Sequence, residues 1–197
     1  MTDKFSRAEV KAICSNLAQD YADVFRFACI TGIRKGQLLA TTKTMVDPEH
    51  WSITWPKAVC KKREPHTIHL TGEVLEIVQR RYEAYPKQPL LFHHDGKPIR
   101  DIRYPLKKAF AAAGVSYGRR TGKVFHGSRR TASTNFSQVV DRSVAKSITG
   151  HSSDSMYERY CLPDADAQRA ALDQAASYVA KQPKRAKVLR FPKKGVA

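Results

Sequence analysis

The chain has 197 residues, with 35 lysines and arginines against 18 acidic residues, a formal charge of +17 at pH 7. That length suffices for one well-buried core or two small ones, and so large a positive excess calls for a polyanion to neutralise it, nucleic acid first. No apolar run reaches the ~18 residues of a membrane span, the start MTDKFSRAEV has no apolar signal region, and no segment pairs a basic face with a Trp/Phe/Leu-rich one, so spanning, secretion and membrane-surface binding are set aside and a cytoplasmic location is expected.

Ser6 and Glu9 read as a capping box with Phe5 and Val10 as a hydrophobic staple, predicting a helix from Arg7 to Leu17. Asp20 reads as the next N-cap, opening a helix with Val24, Phe25, Ala28 and Ile30 at near-helical spacing that stops at Gly32. A short helix from Lys35 to Ala40 follows, which leaves Arg34 at the joint. From Thr41 the pattern turns to strand: Thr42 to Val46, the turn Asp47-Pro48-Glu49, Trp51 to Trp55, then His66 to Leu70. These predict a small three-stranded antiparallel sheet with the basic stretch Lys57 to Arg63 as its protruding turn. Thr71 begins a helix to Tyr82 with Val74, Leu75, Val78 and Tyr82 on its apolar stripe.

Pro86 to Pro98 reads as a loop whose adjacent His93 and His94 are solvated. A helix from Asp101 to Ala113 is stopped by Gly114, and YGRRTGK after it is a basic loop suited to approach phosphates. Asp164 caps an alanine-rich helix to Ala180, and the basic, acid-free end of the chain is expected to be disordered. Cys14, Cys29, Cys60 and Cys161 make neither a C-x-x-C pair nor a zinc spacing, so free thiols and no metal are expected. The fold class is α+β, mainly α, with residues 1–182 as one helical domain holding a three-stranded sheet and 183–197 as a tail.

Between His126 and Tyr160 the spacings exceed what packing requires. His126 and Arg129 stand three apart, which on a helix puts them on one face. His151 precedes Tyr160 by nine residues, across HSSDSM, which favours a turn and then a helix start. Singly, each reads as a surface polar residue or an amphipathic tyrosine. Together, HGSR, TGHSS and Tyr160 resemble the second signature box of the tyrosine recombinases, the phage-integrase family. Thr31-Gly32-Ile33-Arg34 is similar to that family's first box. Matching HTIHL without gaps puts the family's lysine on Lys61, with Lys62 and Lys57 as the other choices. The resemblance runs from Phe5 to Gln182.

Breaking a phosphodiester without a metal needs a nucleophile, charge on the pentacoordinate transition state and an acid for the leaving oxygen. Tyrosine's ordinary pKa of ~10 leaves about a thousandth ionised at neutral pH, a handicap of roughly 4 kcal/mol that neighbouring cations must offset. Arginine suits the phosphate, because its fork gives two parallel hydrogen bonds and its charge is permanent. The resemblance implies that Tyr160 attacks the phosphate to form a 3′-phosphotyrosyl link and free a 5′-hydroxyl. Arg34 and Arg129 then hold the non-bridging oxygens, His126 assists proton transfer with the tyrosine, His151 donates to the phosphate, and Lys61 protonates the departing oxygen. Neither ATP nor a metal is required, in keeping with the lack of a P-loop or clustered carboxylates.

The implied partner is double-stranded DNA, bound by a homotetramer through the C-terminal helix, which either packs on its own domain or is exchanged with a neighbouring copy; a monomer is the alternative when free. Two departures stand out. Gln37 occupies a place where the family has an acid, and the sequence starts at the catalytic domain, without the arm-like and core-binding domains of most members. It therefore reads as an excised domain or as a short member like the fimbrial-switch invertases, with weak, salt-sensitive affinity. Three functions follow: a site-specific recombinase, a type IB topoisomerase-like nicking and closing enzyme, or a basic DNA-binding protein of this fold with little catalysis, which would have no need of Tyr160.

Overall fold

The capping box forms as its residues dictate. In the computed structural model, which describes residues 4–61, 64–118, 120, 123–151, 153–158 and 165–181, Ser6 Oγ accepts from Glu9 N at 3.1 Å and Glu9 Oε2 accepts from Ser6 N at 2.9 Å. They open α1 (Arg7–Ser15). The next helix, α2 (Gln19–Thr31), starts just ahead of Asp20 and lacks a side-chain cap. Asp20 is diverted: its carboxylate accepts from the buried Arg81 Nη1 at 2.6 Å and faces His94 Nδ1 at 3.1 Å. A partly buried charge gains more from a guanidinium than from a helix terminus.

After α3 (Lys35–Leu39) the predicted first strand is mostly a 3-10 turn, Lys43–Met45, leaving only β1 (Val46–Asp47). Lys43 N donates to Pro89 O at 2.8 Å and Lys43 Nζ donates to the carbonyls of Tyr82 and Tyr85, which draws this stretch away from the sheet. β2 (Ser52–Trp55) is central, and β3 (His66–His69) is its other antiparallel neighbour, with Val46 and Ile68 both opposite Ile53.

Beyond α4 (Gly72–Ala84) the expected loop contains a second small sheet, the hairpin β4 (His93–His94) and β5 (Lys97–Pro98). Asp95 and Gly96 make its turn with φ of 48° and 73°. This Asp-Gly pair is the sequence signal for a type I′ hairpin. His93 is not solvated: it is fully buried, edge-on to Tyr85 with centroids 4.4 Å apart, and its carbonyl accepts from Arg81 Nη2 at 2.8 Å.

The remaining helices are α5 (Arg103–Ala112), α6 (Gly127–Ser137), α7 (Arg142–Thr149), α8 (Asp154–Glu158) and α9 (Ala165–Lys181). The chain divides into two compact units, Met1–Leu162 and Pro163–Ala197. In the first, α2 is the core helix and packs against α1 and α6. Phe5, Phe25 and Phe110 meet edge to face with centroids 5.3, 5.6 and 6.0 Å apart, the arrangement that aromatic quadrupoles favour. In the second, α9 carries exposed Leu172, Tyr178 and Val179.

Cys14, Cys29 and Cys60 are free thiols. Tyr160, Lys62, Cys161, the Asp164 cap and the tail from 182 onward lie outside the described residues. Among the described residues no helix is long and apolar enough to cross a membrane.

Candidate functional site

Gly32 ends α2 in the left-handed region at φ 71°. A Cβ at this position would stand 3.1 Å from Ala132 Cβ on α6 and 3.2 Å from Thr149 Cγ2 on α7. Glycine therefore serves twice, supplying the backbone conformation that L side chains avoid and letting three helices meet at one point. Arg34, Arg129 and His151 gather around that point from distant parts of the chain.

Arg34 is the N-cap residue of α3, half-buried, and its Nη1 donates to Gly150 O at 3.0 Å across 116 residues. Gly150 is the left-handed cap of α7, at φ 66°. Arg129, only 3% exposed, sits in the first turn of α6 and spans the ends of two helices. Its Nη1 donates to Gly32 O at 2.7 Å and to Thr149 O, and its Nε donates to His151 Nε2 at 3.1 Å. Both arginines thus occupy the negative C-terminal ends of α2 and α7, where orphan carbonyls favour a cation.

These contacts fix the state of His151. Because Arg129 Nε can only donate, His151 Nε2 is the acceptor and the ring proton is on Nδ1. Thr149 Oγ1 donates to Ala145 O at 2.8 Å and receives that Nδ1 proton at 2.7 Å. Burial first, then Arg129, Arg34, His126 and Lys146, push the His151 pKa down to about 3. The ring is neutral at physiological pH. His126 is the N-cap residue of α6 rather than a member of the helix, and its ring is exposed; partial desolvation, then Arg129 and Arg34, lower its pKa.

Two cavities adjoin this cluster and share Arg34. One, of about 400 Å³, is lined by Arg34, Tyr117, Phe125, His126, Ser128 and Arg129 among others. A second, of about 170 Å³, is lined by Arg34, Gln37, Lys61, His66, Lys146 and His151 among others. Of the lysines in the β2–β3 turn, Lys61 lines the second cavity and is exposed; Lys57 is exposed and is not in its lining. Arg34, Lys61, His126, Arg129 and His151 are thereby brought to one region of the first unit.

Sequence reasoning missed two members of this region. His66, read only as the start of a strand, lies between Gln37 and Ser147 O, and Thr149 holds the His151 tautomer. Neither has a local signal, since both act through partners far along the chain or on the opposite side of a turn.

The family described as "Phage integrase family" matches residues 4–166. Among solved structures, a XerA recombinase shares 17% identity at a TM-score of 0.69, over 87% of this chain and 63% of the other. The catalytic domain of bacteriophage HP1 integrase shares 19% at 0.63, over 92% of this chain and 98% of the other. The Tn1549 transposon integrase in complex with transposon right end DNA shares 17% at 0.64, over 88% of this chain and 66% of the other. The chain thus spans less than two thirds of the first and third of these and nearly all of the second. No curated protein sequence matches it.

Proposed function

The chain belongs to the phage integrase family, and we propose that it is the catalytic domain of a site-specific DNA recombinase, cutting and rejoining strands through a 3′-phosphotyrosyl intermediate. The observation that carries the reading is the meeting of Arg34, Arg129 and His151 at the Gly32 and Gly150 turns, with His126 and Lys61 on adjoining cavities. Two guanidiniums supply charge for the pentacoordinate phosphorus that cannot titrate away. A histidine held neutral between them regains its proton when a phosphate brings negative charge, so it can become a donor to the phosphate oxygen.

Tyr160 is the proposed nucleophile, and no step calls for ATP or a metal. His126 exchanges the tyrosine proton and Lys61 protonates the leaving 5′-oxygen. In this reading residues 1–182 are the catalytic domain, 183–197 add phosphate contacts from a basic tail, and the protein works in the cytoplasm. Its partner is double-stranded DNA, gripped by four copies that exchange the terminal helix; the exposed Leu172, Tyr178 and Val179 of α9 suit that exchange. A single copy in the absence of DNA is expected.

The test uses nicked suicide duplexes with a randomised core. The chain should form an SDS-stable protein–DNA adduct, with the label on the peptide containing Tyr160, and the trapped sequence defines a substrate for further work. Tyr160→Phe should abolish the adduct with duplex affinity within about twofold, because the ring is kept and only the hydroxyl is lost. Failure of the parent chain to trap any sequence would refute the recombinase function and leave DNA binding as the activity.

A further inference from the structure

On the basis of the recombinase reading, we infer that His66 is a positioning residue that locks the β2–β3 hairpin, and with it Lys61, against the joint carrying Arg34 and His151, with Gln37 as its partner. His66 Nε2 lies 2.7 Å from Ser147 O, and Nδ1 lies 2.8 Å from Gln37 Nε2. A carbonyl only accepts, so the ring proton is on Nε2 and Nδ1 accepts from the Gln37 amide. The ring also lies along Trp55, with centroids 5.5 Å apart and planes at 32°. A Cβ at Gly150 would come within 3.0 Å of His66 Cε1, so the missing side chain leaves room for the imidazole.

One ring therefore ties three elements together. Gln37 is three residues along α3 from Arg34, β3 is the strand that returns from the Lys61 turn, and Ser147 lies in the last turn of α7 just ahead of His151. All these residues except Trp55 line the cavity that also holds Lys61. Burial, then Arg129 and Arg34, hold the His66 pKa below its ordinary value. An uncharged partner matches an uncharged ring: the Gln37 amide donates to Nδ1 with no need for a second ring proton, whereas a carboxylate there would require one. The glutamine that departs from the family's acid is thus fitted to a neutral histidine.

Losing this bridge should loosen the hairpin and misplace the acid without touching a phosphate contact. The experiment compares His66→Phe and Gln37→Met in the full chain, on the duplex trapped by the parent, made with an ordinary 5′-oxygen or a 5′-bridging sulfur at the scissile phosphate. A thiolate leaves without a proton, so cleavage of the sulfur substrate bypasses Lys61. On the oxygen substrate, single-turnover cleavage at saturating DNA should fall by about ten- to a hundredfold in both variants, and on the sulfur substrate both should return to within a few-fold of the parent. Gln37→Glu, which can still bond to Nδ1 of a protonated ring, should recover much of the loss seen in Gln37→Met. If His66→Phe fails to fold, Gln37→Met alone decides. Equal losses on the two substrates, or none on the oxygen substrate, overturn the positioning role while the parent's adduct still stands. Absence of any adduct from the parent overturns the recombinase reading and this one with it.

Discussion

Acid should destabilise this protein partly through His151, and the size of the effect can be worked out. The ring is 5% exposed and accepts from Arg129 Nε at 3.1 Å. Its native pKa is about 3, against about 6.5 for histidine in an unfolded chain. A base whose pKa is depressed by folding leaves the unfolded chain holding a proton that the native state refuses. The contribution is therefore intact above the unfolded pKa and lost as pH falls from about 6.5 toward 3. Between about pH 7 and about pH 4.5 this one group should remove about 2–3 kcal/mol, since native protonation is still slight at the lower value. That is a large part of the 5–15 kcal/mol typical of a domain.

Other groups also take up protons as the pH falls, so the assay is a difference. His151→Gln keeps an acceptor near the position of Nε2 but cannot titrate. Urea unfolding of both chains at the two pH values should show the parent losing about 2–3 kcal/mol more than the variant. Identical losses would refute the neutral, arginine-bonded state of His151 and with it the geometry drawn for the site.

Arg129→Lys retains the charge but cannot span Gly32 O, Thr149 O and His151 Nε2 at once. Cleavage should fall at least about a hundredfold while the salt slope of DNA binding barely moves, whereas removing the basic residues from Lys184 to Lys194 should lower that slope by up to about one unit each and spare cleavage at saturating DNA. Filter binding at two salt concentrations and single-turnover cleavage separate the two outcomes. Gly32→Ala should cost about 1–3 kcal/mol in chemical denaturation, because it combines a positive φ with a Cβ only 3.1 Å from Ala132 Cβ.

Local chemistry makes much of the molecule legible in its sequence. The Ser6–Glu9 box closes within four residues, β2 and β3 form within the β-prone stretches Trp51 to Trp55 and His66 to Leu70, and Gly32 and Gly114 stop helices by a property of their own backbone. Each of these is decided by atoms close together in sequence. The signature residues Arg34, Lys61, His126, Arg129, His151 and Tyr160 were readable for another reason: their types and spacing resemble a family, and five of them lie in the described part of the first unit. Where the sequence misled, a distant partner had intervened. Asp20 should have capped a helix, but Arg81, 61 residues on, takes its carboxylate. Thr42 to Val46 should have been a strand, but Lys43 is drawn to Pro89 and to the end of α4. Protonation states were equally out of reach, because the neutral forms of His66 and His151 depend on Gln37, Ser147, Thr149 and two arginines that meet only once α2, α3, α6 and α7 have packed. The sequence by itself determined most of the helices and strands and which residues resemble a family's set for phosphate chemistry. Tertiary structure decided which of them share a hydrogen bond, since burial and the field of a neighbouring charge exist only after distant segments have come together.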